Sequence, residues 1–313
     1  MPPSSIAHIG PDSLLEIEPL KPAKLGWQRL LSWALSFGLF VAILWKLDVE
    51  GVVHALALVP EKPVFWLVFL TFYFALPYFD WIIFRKIWSL PLAAFPVLIQ
   101  KRISNEMLLN YSGELYFYLW AREKKQFANA PFAVIKDVNV TSALANNVVT
   151  LVMLALLWPF IGHIDPAFSS PTFFLSAIGL VLISSAVILL RRWVFSLGWD
   201  KLFFMMRVHF VRIVLSTVLL ALLWHLTLPQ VPLIWWFALA AAKLFISRLP
   251  LIPNVELLFV TLAVFLISDQ EQIGQLMVMI AALVSVTHLL MFGATFLLRL
   301  SLPDHNFNSE RNE

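Results

Sequence analysis

The stretch Lys101-Arg102-Ile103-Ser104-Asn105-Glu106-Met107-Leu108-Leu109-Asn110-Tyr111-Ser112-Gly113-Glu114 decides how this chain folds. It lies inside an otherwise apolar region, residues 89–120, and carries the four charges Lys101, Arg102, Glu106 and Glu114. Each charge placed at the middle of a bilayer costs about 2.5–3.5 kcal/mol on insertion scales. A single lipid-facing helix cannot carry that load. Basic residues flank the region on both sides, Arg85 and Lys86 before it and Arg122 and Lys124 after it. The chain is therefore expected to enter and leave on the same, cytoplasmic, side as a re-entrant helical hairpin. Its turn falls near Asn110-Tyr111-Ser112-Gly113. Irregular backbone at that depth is tolerated only inside protein or beside a water-filled cavity.

The rest of the chain supplies the membrane context. Of 313 residues, 60% are hydrophobic and 13% charged, and the mean hydropathy is +0.84. A soluble domain is roughly half apolar and about a quarter charged, so the composition predicts an integral, polytopic, all-α membrane protein. There are no cysteines, which excludes disulfides, thiol catalysis and Cys-based metal sites. The net charge of +3 fits basic loops that hold helices in orientation better than it fits nucleic acid. Residues 1–25 lack the long apolar core of a cleavable signal peptide. They are expected to form a disordered cytoplasmic tail, 26–301 the membrane domain, and 302–313 a second cytoplasmic tail.

About 20 apolar residues span the hydrocarbon core. Six plain spans follow: Leu30–Leu47, Val64–Phe84, Val134–Ile161, Phe173–Leu190, Val211–Leu228 and Gln275–Leu298. Arg85, Lys86, Arg122, Lys124, Lys125, Arg191, Arg192, Lys201, Arg207 and Arg299 fall on one side of them. The opposite loops, around His163 and Asp165, Pro229–Pro232, and Asp269 and Glu271, are poor in base. The positive-inside rule then puts both termini in the cytoplasm of a bacterial inner-membrane protein.

A second interrupted region, residues 232–268, begins and ends beside base-poor loops and so would enter from the outer side. Its arms, about 233–247 and 255–268, are separated by Ser247-Arg248-Leu249-Pro250-Leu251-Ile252-Pro253-Asn254-Val255-Glu256. Two prolines stop the first arm and Asn254 suits the N-cap of the second. Both turns place a cap residue two before a glutamate, in Ser112-Gly113-Glu114 and Asn254-Val255-Glu256. An acid in a helix's first turn favours the dipole, which accounts for part of each glutamate. Broken segments entering from opposite sides are also the pattern of inverted-repeat transporters. The predicted fold is therefore six full spans plus two re-entrant hairpins in an inverted pseudo-repeat.

Asn110-Tyr111-Ser112-Gly113-Glu114 followed by Leu119-Trp120-Ala121-Arg122 resembles the first signature of the lysylphosphatidylglycerol-synthase transmembrane-domain family, also described as flippase-like. Its typical form is a Pro-Gly-Arg-x-Gly-Glu run, a short helix and a basic turn. Leu249-Pro250-x-x-Pro253-Asn254-x-Glu256 is similar to the family's second signature, a Pro-x-Pro-Gly-Gly-x-Gly-x-x-Glu turn. The resemblance covers roughly residues 30–300. The chain departs from it in lacking Pro-Gly-Arg before Gly113 and the glycine cluster before Glu256. The resemblance implies transbilayer movement of a lipid, or partnership with a glycolipid pathway. The soluble aminoacyl-transferring domain of the bifunctional members has no counterpart in the sequence, so transport is expected rather than transfer chemistry.

Candidate substrate-binding residues are Glu114, Glu256, Lys243, Arg248, Arg102 and Asn146, supported by Gly113, Asn254, Asp137 and Asn139. Lys243 lies some ten residues into its arm, about 15 Å from the start, too deep to snorkel outward. Basic residues near two half-helix N-termini suit a phosphate. The same bases could instead pair internally with Glu114 or Glu256. Asn139, Ser142, Asn146 and Thr150 recur at helical spacing and form either one wall of a polar cavity or a seam of helix–helix hydrogen bonds. Asp80 reads as a buried functional acid or as a partner of Arg85, Asp137 as a partner of Lys136 or Lys101, and His288 as a helix-packing residue in preference to a proton relay. No Gly-rich phosphate loop, His-Glu-x-x-His pair or Gly-x-Ser-x-Gly elbow occurs, and neither a metal nor a cofactor is expected.

The expected function is a transporter or flippase-like protein for an anionic lipid or a polyprenyl-phosphate-linked glycolipid. Its expected partner is a phosphate-bearing membrane lipid, with no nucleic acid. Two other classes stay open: a membrane-embedded transferase on a lipid headgroup, with Glu114 or Asp137 as base, and a non-catalytic partner of an envelope-assembly enzyme.

Overall fold

The computed structural model describes residues 59–108, 111–123, 131–161, 194–247 and 270–301, with isolated positions between them. Among these residues the protein is helical, with no strand. Seven α-helices follow in order: α1 Pro63–Trp88, α2 Phe95–Met107, α3 Ser112–Glu123, α4 Pro131–Ile161, α5 Trp199–Thr227, α6 Leu233–Ile246 and α7 Gln270–Ser301. A single 3-10 turn, Leu92–Ala94, leads into α2. The expected span Leu30–Leu47, most of Phe173–Leu190, both tails and the turn holding Arg248, Asn254 and Glu256 lie outside the described residues.

Among the described residues, three stretches are long and apolar enough to cross a membrane: Pro63–Trp88, Trp199–Thr227 and Gln272–Leu298. At 1.5 Å per residue the shortest is about 39 Å long, more than the ~30 Å hydrocarbon core. α1 starts with proline at its first position, where the missing N–H would be unpaired in any case. It ends at Ser89, left-handed with φ 54°, whose N–H donates back to Arg85 O. Pro77 sits inside α1 and cannot donate to the carbonyl of Tyr73, four residues earlier. Arg102 of α2 donates its guanidinium to that carbonyl instead.

α5 differs from its expected span. It begins at Trp199, twelve residues before Val211, so Lys201 and Arg207 belong to the helix and not to a loop. Gly198 takes the extended N-cap position and Asp200 lies in the first turn, where an acid favours the dipole. Arg207, His209 and Arg212 lower the local hydropathy, and this concealed the first half of the helix. His209 and Arg212 are buried, and Arg207 lies 4.5 Å over the Phe203 ring. α5 is the most connected element and packs against α1, α4 and α6.

α2 and α3 form a helical hairpin with its turn between Met107 and Ser112. Ser112 Oγ donates to Ser104 O at 2.7 Å, and Gly113 N–H donates to Asn105 Oδ1 at 2.7 Å. Further from the turn, Tyr116 donates its hydroxyl to Gln100 Oε1. The partners move backwards along α2 as the chain advances along α3, so the two helices run antiparallel. Tyr111 opens α3 with φ 72°. Gly113 is the point of closest approach: a Cβ there would stand 2.8 Å from Asn105 Oδ1 and would overlap the Lys101 carbonyl. The first arm of the second interrupted region is α6, which ends at Ile246, before the two prolines.

Two apolar clusters lie at different levels along α1. Phe65, Phe69 and Tyr73 pack with Trp224, Trp236, Phe259 and Met279. Ile83 and Phe84 pack with Leu98, Phe117, Trp120 and Met205. Between these levels α1 presents Leu76 and Asp80, and there the interior turns polar.

Candidate functional site: a buried charged cavity

A cavity of about 180 Å³ opens between the hairpin and helices α1, α4 and α5. α1 contributes Leu76 and Asp80, α2 Lys101, Arg102 and Asn105, and α3 Glu114. α4 contributes Val138, Asn139 and Ser142, and α5 His209 and Arg212. Arg212 lies about 20 Å from either end of α5, near the middle of that span.

The charges form one connected group. Lys101 Nζ lies 2.6 Å from Asp80 Oδ2 and 3.5 Å from Glu114 Oε1. Arg212 Nη1 stands 4.0 Å from Asp80 Oδ1, and its Nη2 donates to Ser142 Oγ at 2.8 Å. Lys101 is thus held between two carboxylates, and Asp80 between two cations. Glu114 has one oxygen toward Lys101; its other oxygen, Oε2, is buried with no hydrogen-bond partner among the described residues. Three cations and two carboxylates line the cavity, a formal charge of +1 with His209 neutral. An isolated charge has no stable place in such an interior, and a mutually paired set does.

Arg102 faces the cavity and also belongs to a second polar chain behind it. Its Nε donates to Glu106 Oε1 at 2.7 Å. Glu106 Oε2 lies 2.8 Å from His288 Nε2, and His288 Nδ1 lies 2.7 Å from the Tyr73 hydroxyl. His288 is therefore more than a packing residue, for it joins α7 to α1 and α2.

A second cavity, about 290 Å³, adjoins the first and shares Leu76 and Arg212 with it. Its exposed wall is mostly apolar, including Phe72, Ile213, Leu220 and Leu244, and besides Arg212 the polar residues Asn146, Ser216, Thr217, Lys243 and Ser247 line it. Lys243 Nζ sits 5.1 Å over the Phe259 ring.

The sequence-predicted site residues separate accordingly. Glu114, Arg102 and Asn139 line the charged cavity. Asn146 and Lys243 line the apolar one, so Lys243 is not in the same chamber as Glu114. Gly113 allows the close packing that brings Glu114 to Lys101. Asp137 points elsewhere: its Oδ2 accepts the backbone N–H groups of Ser196 and Leu197, each at 2.8 Å, and Lys136 is 3.4 Å from its Oδ1. It anchors the segment before α5 and does not reach Lys101. Asn146 donates to Ser142 O at 2.9 Å, so the polar stripe on α4 both bonds along its own helix and lines cavities.

Asp80, Lys101, His209 and Arg212 were not among the predicted site residues. Asp80 pairs with Lys101 and Arg212, while Arg85, its expected partner, lies 4.8 Å over the Trp81 ring. The signal for Lys101 was in the decisive stretch itself. Arg212 carried no separate signal, because it stood at the edge of the expected span Val211–Leu228. Among the described residues no group of three or more His, Cys, Asp or Glu side chains could hold a metal. What this arrangement offers chemically is an electropositive chamber of about 180 Å³ with a carboxylate oxygen that has no hydrogen-bond partner among the described residues, next to an apolar chamber. No family model, curated protein or solved structure matches the chain.

Proposed function

We propose that this protein is a flippase-like transporter of an anionic lipid in a bacterial inner membrane, with both termini cytoplasmic. The observation that carries the reading is the pair of adjoining chambers that share Arg212. Ionisable residues at the depth of a membrane interior are costly and by default mark a substrate or ion path. The chamber lined by Lys101, Arg102 and Arg212 suits a phosphate, and guanidinium groups bind phosphate oxygens bidentately. The neighbouring apolar chamber suits the first part of a hydrocarbon chain. Glu114 and Asp80 hold the bases in place when the anion is absent, and Glu114 Oε2 is available to a headgroup hydroxyl. Lipid that copurifies with the protein in mild detergent, identified by mass spectrometry, tests this directly. A phosphate-bearing lipid that is depleted in an Arg212→Gln variant is expected. A bound population matching the bulk membrane in both proteins would refute the reading.

The transferase reading rests on Glu114 alone, because both backbone bonds to Asp137 keep that acid out of the chamber. It predicts a chemically altered headgroup after incubation with lipid. The transport reading predicts an unaltered one.

A further inference from the structure

Of the chain Tyr73–His288–Glu106–Arg102, only Arg102 faces the cavity proposed above to hold the anion. The chain's four side chains come from α1, α7 and α2, and the hydrogen bonds within it are 2.7, 2.8 and 2.7 Å long. We propose that His288 is a proton-binding site whose occupancy sets the anion affinity of the cavity through Arg102, so that proton and anion are carried together. This rests on the anion-binding reading of the cavity.

The Glu106 carboxylate can only accept, so His288 Nε2 carries a hydrogen in either protonation state. In the neutral ring Nδ1 accepts from the Tyr73 hydroxyl. A proton taken up goes to Nδ1, and the Tyr73 oxygen turns from donor to acceptor. The ring is now a cation on Glu106, a carboxylate that already serves Arg102. One negative charge is divided between two positive ones, and Arg102 faces the cavity with a charge that Glu106 no longer offsets. The cluster passes from neutral to +1, and an anion in the cavity restores the balance. By linkage, a bound anion favours the proton equally.

The surroundings support this. Tyr73 and His288 are wholly buried, while the Glu106 side chain is 37% exposed and gives a proton its way in. Among the described residues, the charged and titratable groups that face His288 and Glu106 are Tyr73 from α1 and Arg102 from α2. Glu114 of α3 meets Lys101 instead, and Arg122 and Glu123 lie at the far end of α3 from the turn. Histidine is the one side chain whose ordinary pKa lies near neutrality, and that makes it the proton carrier of the chain.

The test uses the full-length protein in phosphatidylcholine nanodiscs and two measurements. Imidazole ¹⁵N NMR, with the His288 signal assigned by its loss in His288→Gln or its shift in Tyr73→Phe, follows protonation between about pH 8 and 5. Binding of inorganic sulfate, whose own charge is constant over this range, follows the cavity. The expected results are a titrating His288 and a sulfate affinity that rises about tenfold as pH falls. In His288→Gln the affinity should be independent of pH. A His288 signal that stays neutral down to pH 5 overturns the inference whatever the cavity binds. Sulfate binding equal at both ends of the range overturns the coupling alone. No sulfate binding at any pH overturns the anion reading, and the coupling with it.

Discussion

Replacing Gly113 by alanine tests how the hairpin builds the site. The added Cβ would lie 2.8 Å from Asn105 Oδ1 and closer still to the Lys101 carbonyl oxygen, where ordinary contact begins at 3.4 Å. Asn105 can turn aside, but the carbonyl is backbone, so α2 and α3 must separate. Overpacking of this kind costs typically 1–3 kcal/mol, and a backbone obstacle places Gly113→Ala at the upper end, about 3 kcal/mol. The separation also draws Lys101 away from Asp80, now 2.6 Å from its Nζ. Denaturant titration of the protein in detergent micelles measures the loss. Tryptophan fluorescence follows the transition; Trp88 and Trp120, two of the 13 tryptophans, both stack on Phe117 of α3. Adding Asn105→Ala removes the lesser obstacle but also the acceptor of the Gly113 N–H, and leaves the Lys101 carbonyl in place, so it should not restore the stability. A Gly113→Ala protein that unfolds at the wild-type midpoint would show that the helices do not touch as described, and the route from Gly113 to the charged cavity would be lost.

Lys101→Met leaves Asp80 and Glu114 buried without their shared cation and should cost about 3–5 kcal/mol; combining it with Asp80→Asn should recover much of that, measured by the same titration as a double-mutant cycle. Lys243→Met should abolish lipid transfer in reconstituted vesicles at near-normal expression, since Lys243 is among the polar groups of the apolar chamber; full transfer would remove Lys243 from the path. A reporter enzyme active only outside the cytoplasm, fused after Glu313, should give no signal, and a strong signal would invert the topology.

The hairpin could be read from the sequence because the cost of burying charge is a local property. Four charges in an apolar stretch rule out a simple span whatever surrounds them. Which group neutralises which charge is a different matter, since partners meet across helices. Asp80 stands twenty-one residues from Lys101, and nothing in either stretch names the other, whereas Arg85, one helical turn away, was the obvious partner. Arg212 was hidden for a related reason: averaging hydropathy along a chain blurs a helix whose charged residues face inward. Asp137 shows the limit most clearly. Its partners are two backbone N–H groups fifty-nine and sixty residues later, and backbone donors leave no trace in side-chain pattern.

The carboxylate of Asp137 has a mechanical consequence. By holding Ser196 and Leu197 at the foot of α5, it clamps α5 to α4 at a fixed height. The register between these two helices is therefore set at the clamp and not by the length of chain that joins them. α4 and α5 would travel together as one lever, with the ion-paired chamber lying where that lever meets the hairpin.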